Sequence, residues 1–281
     1  MGEARLQDWV GRTQEVADEI HPLHVQGFSA TLNRPLAAEP GDPLPELWHW
    51  LYFLPTVTQS EIGPDGHPKR GGFLPPVELD RRMWAGGRLT FHGELRVGDV
   101  VKQRSQILKV SEKEGRAGRM VFVTVRHETS SERGLAIEEE QDIVYVAMPK
   151  AWVEPEPVPP PADAAWREKF PVDTVVLFRF SALTFNGHRI HYDLAYATEV
   201  EKYPGLVVHG PLQAMLLMDL AKRRQPGRRP ARFQFRGVRP LFHFERPELL
   251  GRPAAEGGHE LFVGNGAGAT TQQAAVQWAD A

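Results

Sequence analysis

Cysteine is absent from the 281 residues, which excludes disulfides, thiolate zinc sites and a cysteine nucleophile. A basic surplus is also missing: 33 Lys and Arg stand against 36 Asp and Glu, a formal charge of -3. A general nucleic-acid binder carries a basic face or excess, so none is expected as a partner. No apolar run approaches the roughly 18 residues that a membrane-spanning helix needs. Residues 1–10 interleave acidic and basic side chains and lack the apolar core of a secretory signal. The expectation is a soluble, cytoplasmic chain with no membrane partner. The local basic clusters, such as Arg81 with Arg82 and Lys222 with Arg223 and Arg224, read first as solvated surface.

The length permits two domains. The clearest boundary is residues 154–165, which hold Pro155, Pro157, Pro159, Pro160 and Pro161. Proline fixes φ and has no amide donor, so this stretch is extended and cannot join a sheet interior. The division expected is residues 1–150, a linker over 151–170, and residues 171–281. In the first part, residues 6–20 and 45–54 read as helices, 62–76 as a Gly/Pro-rich loop, and 88–95, 100–110, 120–129 and 137–147 as strands. In the second, residues 174–183 read as a strand and 211–221 as a helix apolar on all sides, the kind that a sheet wraps. Strands follow at 231–238, 261–263 and 272–278. Both parts therefore run from a buried helix into an antiparallel sheet. Arg88-Leu-Thr-Phe91-His-Gly93 and Arg232-Phe-Gln-Phe235-Arg-Gly237 share R-x-x-F-x-G at the same stage of each. The pattern implies two α+β modules whose sheets pair side by side.

The densest polar run is Ser181-Ala-Leu-Thr-Phe-Asn186-Gly-His188-Arg189-Ile-His191-Tyr-Asp193, followed by Tyr196-Ala197 and Gly205-Leu-Val-Val-His209-Gly210-Pro-Leu212. Here the chain resembles the MaoC-like, (R)-specific enoyl-CoA hydratases. Their motif is S-G-D-x-N-P-x-H-x-D, then Y/F-A, then G-x-x-x-H-G-x-L entering a central helix. The variant T-F-N-x-H-R-I-H-Y-D, with Arg81-Arg-Met-Trp-Ala-Gly-Gly-Arg88 upstream, resembles one branch of that family. It holds mitochondrial type 2 hydroxyacyl-thioester dehydratases and bacterial hydratases of mesaconyl-, itaconyl- and methylfumaryl-CoA. The resemblance implies a double hot-dog fold, a CoA-thioester substrate, no cofactor, a homodimer, and an N-terminal module without catalytic residues. It places His191 on the family's catalytic histidine and Asp193 on the acidic residue beyond it. Asn186 falls where the family has an aspartate, and His188 where it has an asparagine. An amide cannot serve as a carboxylate base, so the family's division of labour is changed here.

Hydration of an α,β-unsaturated thioester needs a base near neutrality, a proton for the α-carbon, and donors for the enolate-like oxygen of the transition state. His191 suits the base or acid. Asn186 can hold the water or fix the imidazole tautomer. His188 fits either proton transfer or support. Gly210, at a helix start, offers a free amide to the thioester oxygen. His209 is placed with the substrate-binding residues, bracing or capping the turn. Arg189 has three partners open to it: a CoA phosphate, a substrate carboxylate, or Asp193. Arg81, Arg82 and Arg88 flank Gly86 and Gly87, read as a turn that brings cations and amides to CoA phosphates. His188-x-x-His191-x-Asp193 has some look of a metal cluster, but its segment is irregular and no metal is expected. The function expected is a hydro-lyase that reversibly hydrates a short enoyl-CoA, with the branched dicarboxylic thioesters of the mesaconyl and itaconyl type among the candidates. The alternatives are a 3-hydroxyacyl dehydratase working on acyl carrier protein and a non-catalytic thioester-binding module.

Overall fold

Alternation decides the strands. Val121, Val123 and Val125 are all essentially inaccessible to solvent, while the residues between them are part-exposed, as one buried face of a pleated strand requires. The computed structural model describes residues 5–34, 38–115, 118–255 and 257–280. Its strands are β1 (Thr13–Glu19), β2 (Arg81–Phe91), β3 (Val100–Gly115), β4 (Gly118–Ser131), β5 (Gly134–Val146), β6 (Trp166–Lys169), β7 (Pro230–Gly237), β8 (Glu248–Pro253), β9 (His259–Gly264) and β10 (Thr270–Trp278). The α-helices are α1 (Pro22–Thr31), α2 (Thr174–Leu183) and α3 (Gly210–Arg224).

All ten strands join in one antiparallel sheet, ordered β1-β3-β4-β5-β2-β7-β10-β9-β8-β6. Read from its two edges inward, the order repeats: β1, β3, β4, β5, β2 from one side and β6, β8, β9, β10, β7 from the other. The two halves meet where Gly86–Thr90 of β2 pair with Arg232–Arg236 of β7. Leu89 stands directly opposite Phe233 there. These are the equivalent second positions of the two R-x-x-F-x-G motifs, so a local two-fold axis passes between them. Both are buried. α1 and α2 sit at matching places and pack on each other, with Gly27 of α1 against Leu183 of α2. This is the double hot-dog arrangement.

The symmetry is incomplete. α3 is the helix that its sheet wraps: Leu212, Leu217, Leu220 and Ala221 are fully buried on different sides of it. Its last turn carries Lys222, Arg223 and Arg224, favourable at the negative end of the helix dipole. They pair with Glu46, Asp219 and Glu168, which accounts for that basic cluster. Between α1 and β2, in contrast, the described residues hold 3-10 turns at Trp48–Leu51 and Gln59–Glu61 and no α-helix.

Several local expectations are corrected. Residues 6–20 are a 3-10 turn, Leu6–Trp9, and then β1, because pairing with β3 outweighs the helix propensity of an acidic, alanine-containing segment. Residues 45–54 cannot be a helix: Leu47 and Phe53 take left-handed φ of 70° and 56° and confine it to one turn. Residues 174–183 are α2 and not a strand. Asp173 caps it by accepting the Val176 amide at 2.8 Å, and Leu177, Phe180 and Ser181 are buried at helical spacing. α1 lies where no helix was expected, with Pro22 at the first-turn position that tolerates proline. The proline-rich stretch passes over the C-terminal half: the Val158 carbonyl accepts from the Thr270 amide at 2.7 Å, and Trp152 packs on Tyr203 and Phe242. Residues 166–169, at the end of the expected linker, form β6. No helix among the described residues is long and apolar enough to cross a membrane.

Gly86 and Gly87 are not a turn. They lie inside β2 beside a bulge, hydrogen-bonded between β5 and β7, so their amides face neighbouring strands and not a phosphate. A Cβ on Gly86 would stand 2.5 Å from the Phe235 carbonyl oxygen, and one on Gly87 2.9 Å from that of Glu140. Only glycine lets the two halves approach this closely. Gly86→Ala is therefore expected to destabilise the chain by about 1–3 kcal/mol, the usual range for overpacking. Urea denaturation of the variant checks this, and an unshifted midpoint would refute the close-approach reading.

Candidate active site

α2 ends at Leu183, and Phe185 takes a left-handed φ of 47°, which turns the chain into the polar segment. The Asn186 amide returns to the Ser181 carbonyl at 2.8 Å, and Asn186 Oδ1 accepts from the His188 amide at 3.0 Å. A 3-10 turn, Arg189–His191, follows. Asp193 anchors it: one carboxylate oxygen accepts the Tyr196 amide at 3.0 Å, the other accepts from Arg189 Nε and Nη2 at 3.0 and 2.7 Å. These bonds hold the Asp193 carboxyl below its ordinary value, the Tyr196 amide foremost. Of the three partners open to Arg189, the structure shows Asp193, with the guanidinium also lying over the Tyr196 ring.

Four histidines gather behind this turn. His191 and His209 stack with ring centroids 3.6 Å apart, His188 meets His191 edge-on at 5.4 Å, and His67 lies 4.0 Å from His188. His188, His191 and His209 are buried. His191 Nδ1 is 2.7 Å from the Val207 carbonyl oxygen. A carbonyl can only accept, so the proton sits on Nδ1 and Nε2 keeps its lone pair. It is Val207, then, and not Asn186, that fixes this tautomer. His209 Nε2 is 2.9 Å from Ser181 Oγ. His209 is the N-cap residue of α3, its carbonyl accepting the Gln213 amide at 3.2 Å, while its side chain makes no capping bond and braces the stack. Burial drives the His191 imidazolium well below its usual range, reinforced by His209 and His188, against a smaller opposing effect from the Val207 carbonyl. Burial likewise takes His209 and His67 down to about 3.

Two carboxylates outside the motif serve the row. Asp65 Oδ2 accepts from His67 Nδ1 at 2.9 Å; burial would raise the Asp65 carboxyl, but the bonds from His67 win and hold it below its ordinary value. The buried Glu201 places Oε1 3.4 Å from His188 Nε2 and accepts from Arg81 Nε at 2.9 Å. Arg81 in turn lies 4.3 Å over the Tyr203 ring. The loop carrying Asp65 and His67 is fastened to the motif: the Asp65 carbonyl accepts the Arg189 amide at 2.9 Å, that of Pro64 accepts from Arg189 Nη1 at 3.1 Å, and Gly66, at φ +89°, rests directly on Gly187. The N-terminal half thus contributes side chains to the cluster. Residues 62–76 read only as a loop in sequence, and Asp65-Gly-His67 was the available signal.

Donor atoms of Asp65, His67 and His188 lie within 4.8 Å of one another. Asp65 and His67 already satisfy each other through two hydrogen bonds, so the arrangement is a hydrogen-bonded dyad whose ring lies tilted against His188. His188, His191 and Asp193 do not converge as ligands, since Asp193 is turned to Arg189. Gly210 opens α3, and its amide has no acceptor within the helix. Gln272 Nε2 bonds the Gly210 carbonyl at 3.1 Å and steadies that end. Arg88 is exposed and committed to Glu140 and Asp142, away from the histidines.

Residues 47–243 match the family described as hydroxyacyl-thioester dehydratase type 2. The chain is 49% identical over 256 residues to mesaconyl-C(4)-CoA hydratase of Chloroflexus aurantiacus, covering 90% of this chain and 91% of that one. Among solved structures it is similar to a MaoC-like dehydratase of Phytophthora capsici, with TM-score 0.71 at 10% identity over 99% of this chain and 98% of that one. It also resembles a Mycobacterium tuberculosis protein described as having a double hot-dog fold, with TM-score 0.58 at 14% identity over 96% of each chain.

The buried histidines make stability depend on pH in a definite direction. His209 is neutral in the folded chain down to about 3, whereas unfolded histidine binds a proton near 6.5. Between those values the unfolded state holds the extra proton, so stability is complete above about 6.5 and falls on acidification, by up to about 1.4 kcal/mol per pH unit for each such group. His209→Gln is expected to flatten this slope between pH 7 and 5, measured by urea denaturation. An identical slope in the variant would show that His209 is not held neutral.

Proposed function

The chain belongs to the hydroxyacyl-thioester dehydratase type 2 family, and from that premise we propose that it is a hydro-lyase for a short, branched dicarboxylic enoyl-CoA of the mesaconyl type. The observation that carries the reading is His191: buried, neutral, its Nδ1 proton committed to Val207 and its Nε2 free to act as a base. In the hydration direction His191 Nε2 takes a proton from water as the hydroxyl oxygen bonds to the β-carbon. The electron pair of the double bond moves toward the thioester, and a proton reaches the α-carbon from the imidazolium just formed. Atoms balance, and the dehydration runs the same steps backward. Asn186 cannot exchange that proton. Its Oδ1 is occupied by the His188 amide, which leaves its NH2 group to donate to the water or the substrate. The Gly210 amide at the positive end of α3 supports the oxyanion. His188, backed by Glu201, is the second proton-handling group, and His209 holds the His191 ring in place from behind.

Asp65 and Glu201 supply the negative charge that the family's aspartate gives in other members, one step removed through His67 and His188. For CoA, Arg81, Arg88 and Arg189 each already face a carboxylate, so a phosphate there would have to displace an existing partner. We read residues 1–150 and 171–281 as the two hot-dog modules, the second bearing the proton chemistry. The expected compartment is the cytoplasm. The expected assembly is a homodimer, for which the exposed Leu23, Val175 and Phe178 on the α1–α2 pair offer an apolar face.

His191→Ala should lower kcat by about 10²–10⁴-fold with the fold intact, as loss of a general acid–base group does. Asn186→Ala should be milder and still measurable. Near-normal turnover in His191→Ala, with none in His188→Ala, would reverse the assignment. A panel of mesaconyl-, itaconyl- and crotonyl-CoA with the corresponding carrier-protein thioesters tests the substrate class; hydration of the carrier thioesters alone would overturn the CoA reading.

A further inference from the structure

β2 starts near the histidine row, and its first two residues alternate to opposite faces of the strand. Arg81 goes to Glu201, as described. Arg82 lies on the other face, directly across the ladder from Tyr145 of β5, and its positive charge also acts on His67. Along this strand Arg81 and Arg88 both have carboxylate partners, while among the described residues Arg82 forms no ion pair. Tyr145 is fully buried, and among the described residues no acceptor takes its hydroxyl proton. A second guanidinium, Arg70, spans the Val77 and Asp80 carbonyls and lies over the Tyr145 ring. Asp65, the nearby carboxylate, is engaged by His67.

We propose that Arg82 and the Tyr145 hydroxyl form a carboxylate-binding subsite, next to His67, that holds the free carboxylate of the acyl group and selects dicarboxylic over monocarboxylic thioesters. A part-buried, unpaired guanidinium beside a buried hydroxyl without an acceptor is a donor set short of one anion. Its planar fork matches a carboxylate, and a buried hydroxyl left unmatched is costly. Position narrows the anion further. His67 lies against His188, which meets His191 edge-on, so the subsite lies two rings along the row from the proton-transferring group. In a butenedioyl thioester the free carboxylate is bonded directly to the double bond that takes up water, on the side away from the thioester. A CoA phosphate, at the far end of the pantetheine arm, is poorly matched to this place.

This inference rests on the hydratase reading, so the experiment separates the two. In the full chain, kcat/KM for mesaconyl-C4-CoA and for crotonyl-CoA is measured with Arg82→Gln, Arg82→Lys and Tyr145→Phe. The ratio of the two constants should fall on the order of 10²-fold in Arg82→Gln, the scale of one charge-assisted hydrogen-bonding group. It should fall less in Tyr145→Phe and recover partly in Arg82→Lys. An unchanged ratio, whether both constants hold or both fall together, overturns the subsite; a joint rise in KM assigns Arg82 to CoA. Should the wild-type protein hydrate neither thioester, the hydratase reading fails. Quenching of tryptophan fluorescence by the same two thioesters then reads the subsite alone: binding selectivity lost in Arg82→Gln supports it, and equal affinities in wild type and variant sink it.

Discussion

The pairing of β2 with β7 sets the geometry of everything around it. Gly86 and Gly87 allow the two central strands to approach as only backbone can, and Leu89 and Phe233 close the seam on the core side. With that register set, α1 must lie on α2, and the loop bearing Asp65 and His67 must lie on the turn bearing His188 and His191. The same strand delivers Arg81 to one side of the histidine row and Arg82 to the other. The site is thus assembled from sequence-distant pieces whose common reference is one antiparallel seam.

Electrostatically the cluster is a row of histidine rings with two carboxylates, Asp65 and Glu201, at its His67–His188 end. Stacking His191 on His209 at 3.6 Å is tolerable because burial keeps both rings neutral; two imidazolium ions so close in a dry site would repel strongly. Carboxylates at the near end of each dyad, Asp65 with His67 and Glu201 with His188, polarise the row without placing a full charge beside Nε2 of His191. Arg81 neutralises Glu201 in its turn. A ring held neutral this way keeps an unprotonated nitrogen at every ordinary pH.

Much of this was legible in residues. The valine alternation of β4, the apolar girth of α3 and the N-x-H-x-x-H run each carry their own physical cause within a few positions, and the doubled R-x-x-F-x-G lies on the seam itself. What was hidden depends on partners far along the chain. Residues 174–183 are as apolar and β-branched as a strand, and only Asp173 as a cap and the packing on α1 decide for helix. Gly86-Gly87 has the composition of a turn, and its meaning emerges only with Phe235 beside it. Asp65 and His67 stand about 120 positions before His188, in a loop with no periodicity; Glu201 lies in a π-helical exit that no local pattern marks.

The unequal halves have a consequence for how such a protein can diversify. Among the described residues α3 has no counterpart in the first half, where 3-10 turns and loops stand between α1 and β2. That stretch is tied to the other half at Asp65, Gly66 and His67, which rest on the turn bearing Gly187, His188 and Arg189, whereas residues 55–61 before them are mostly exposed. Changes of loop length over residues 55–61 can therefore vary the surface beside the histidine row without repacking either half of the sheet.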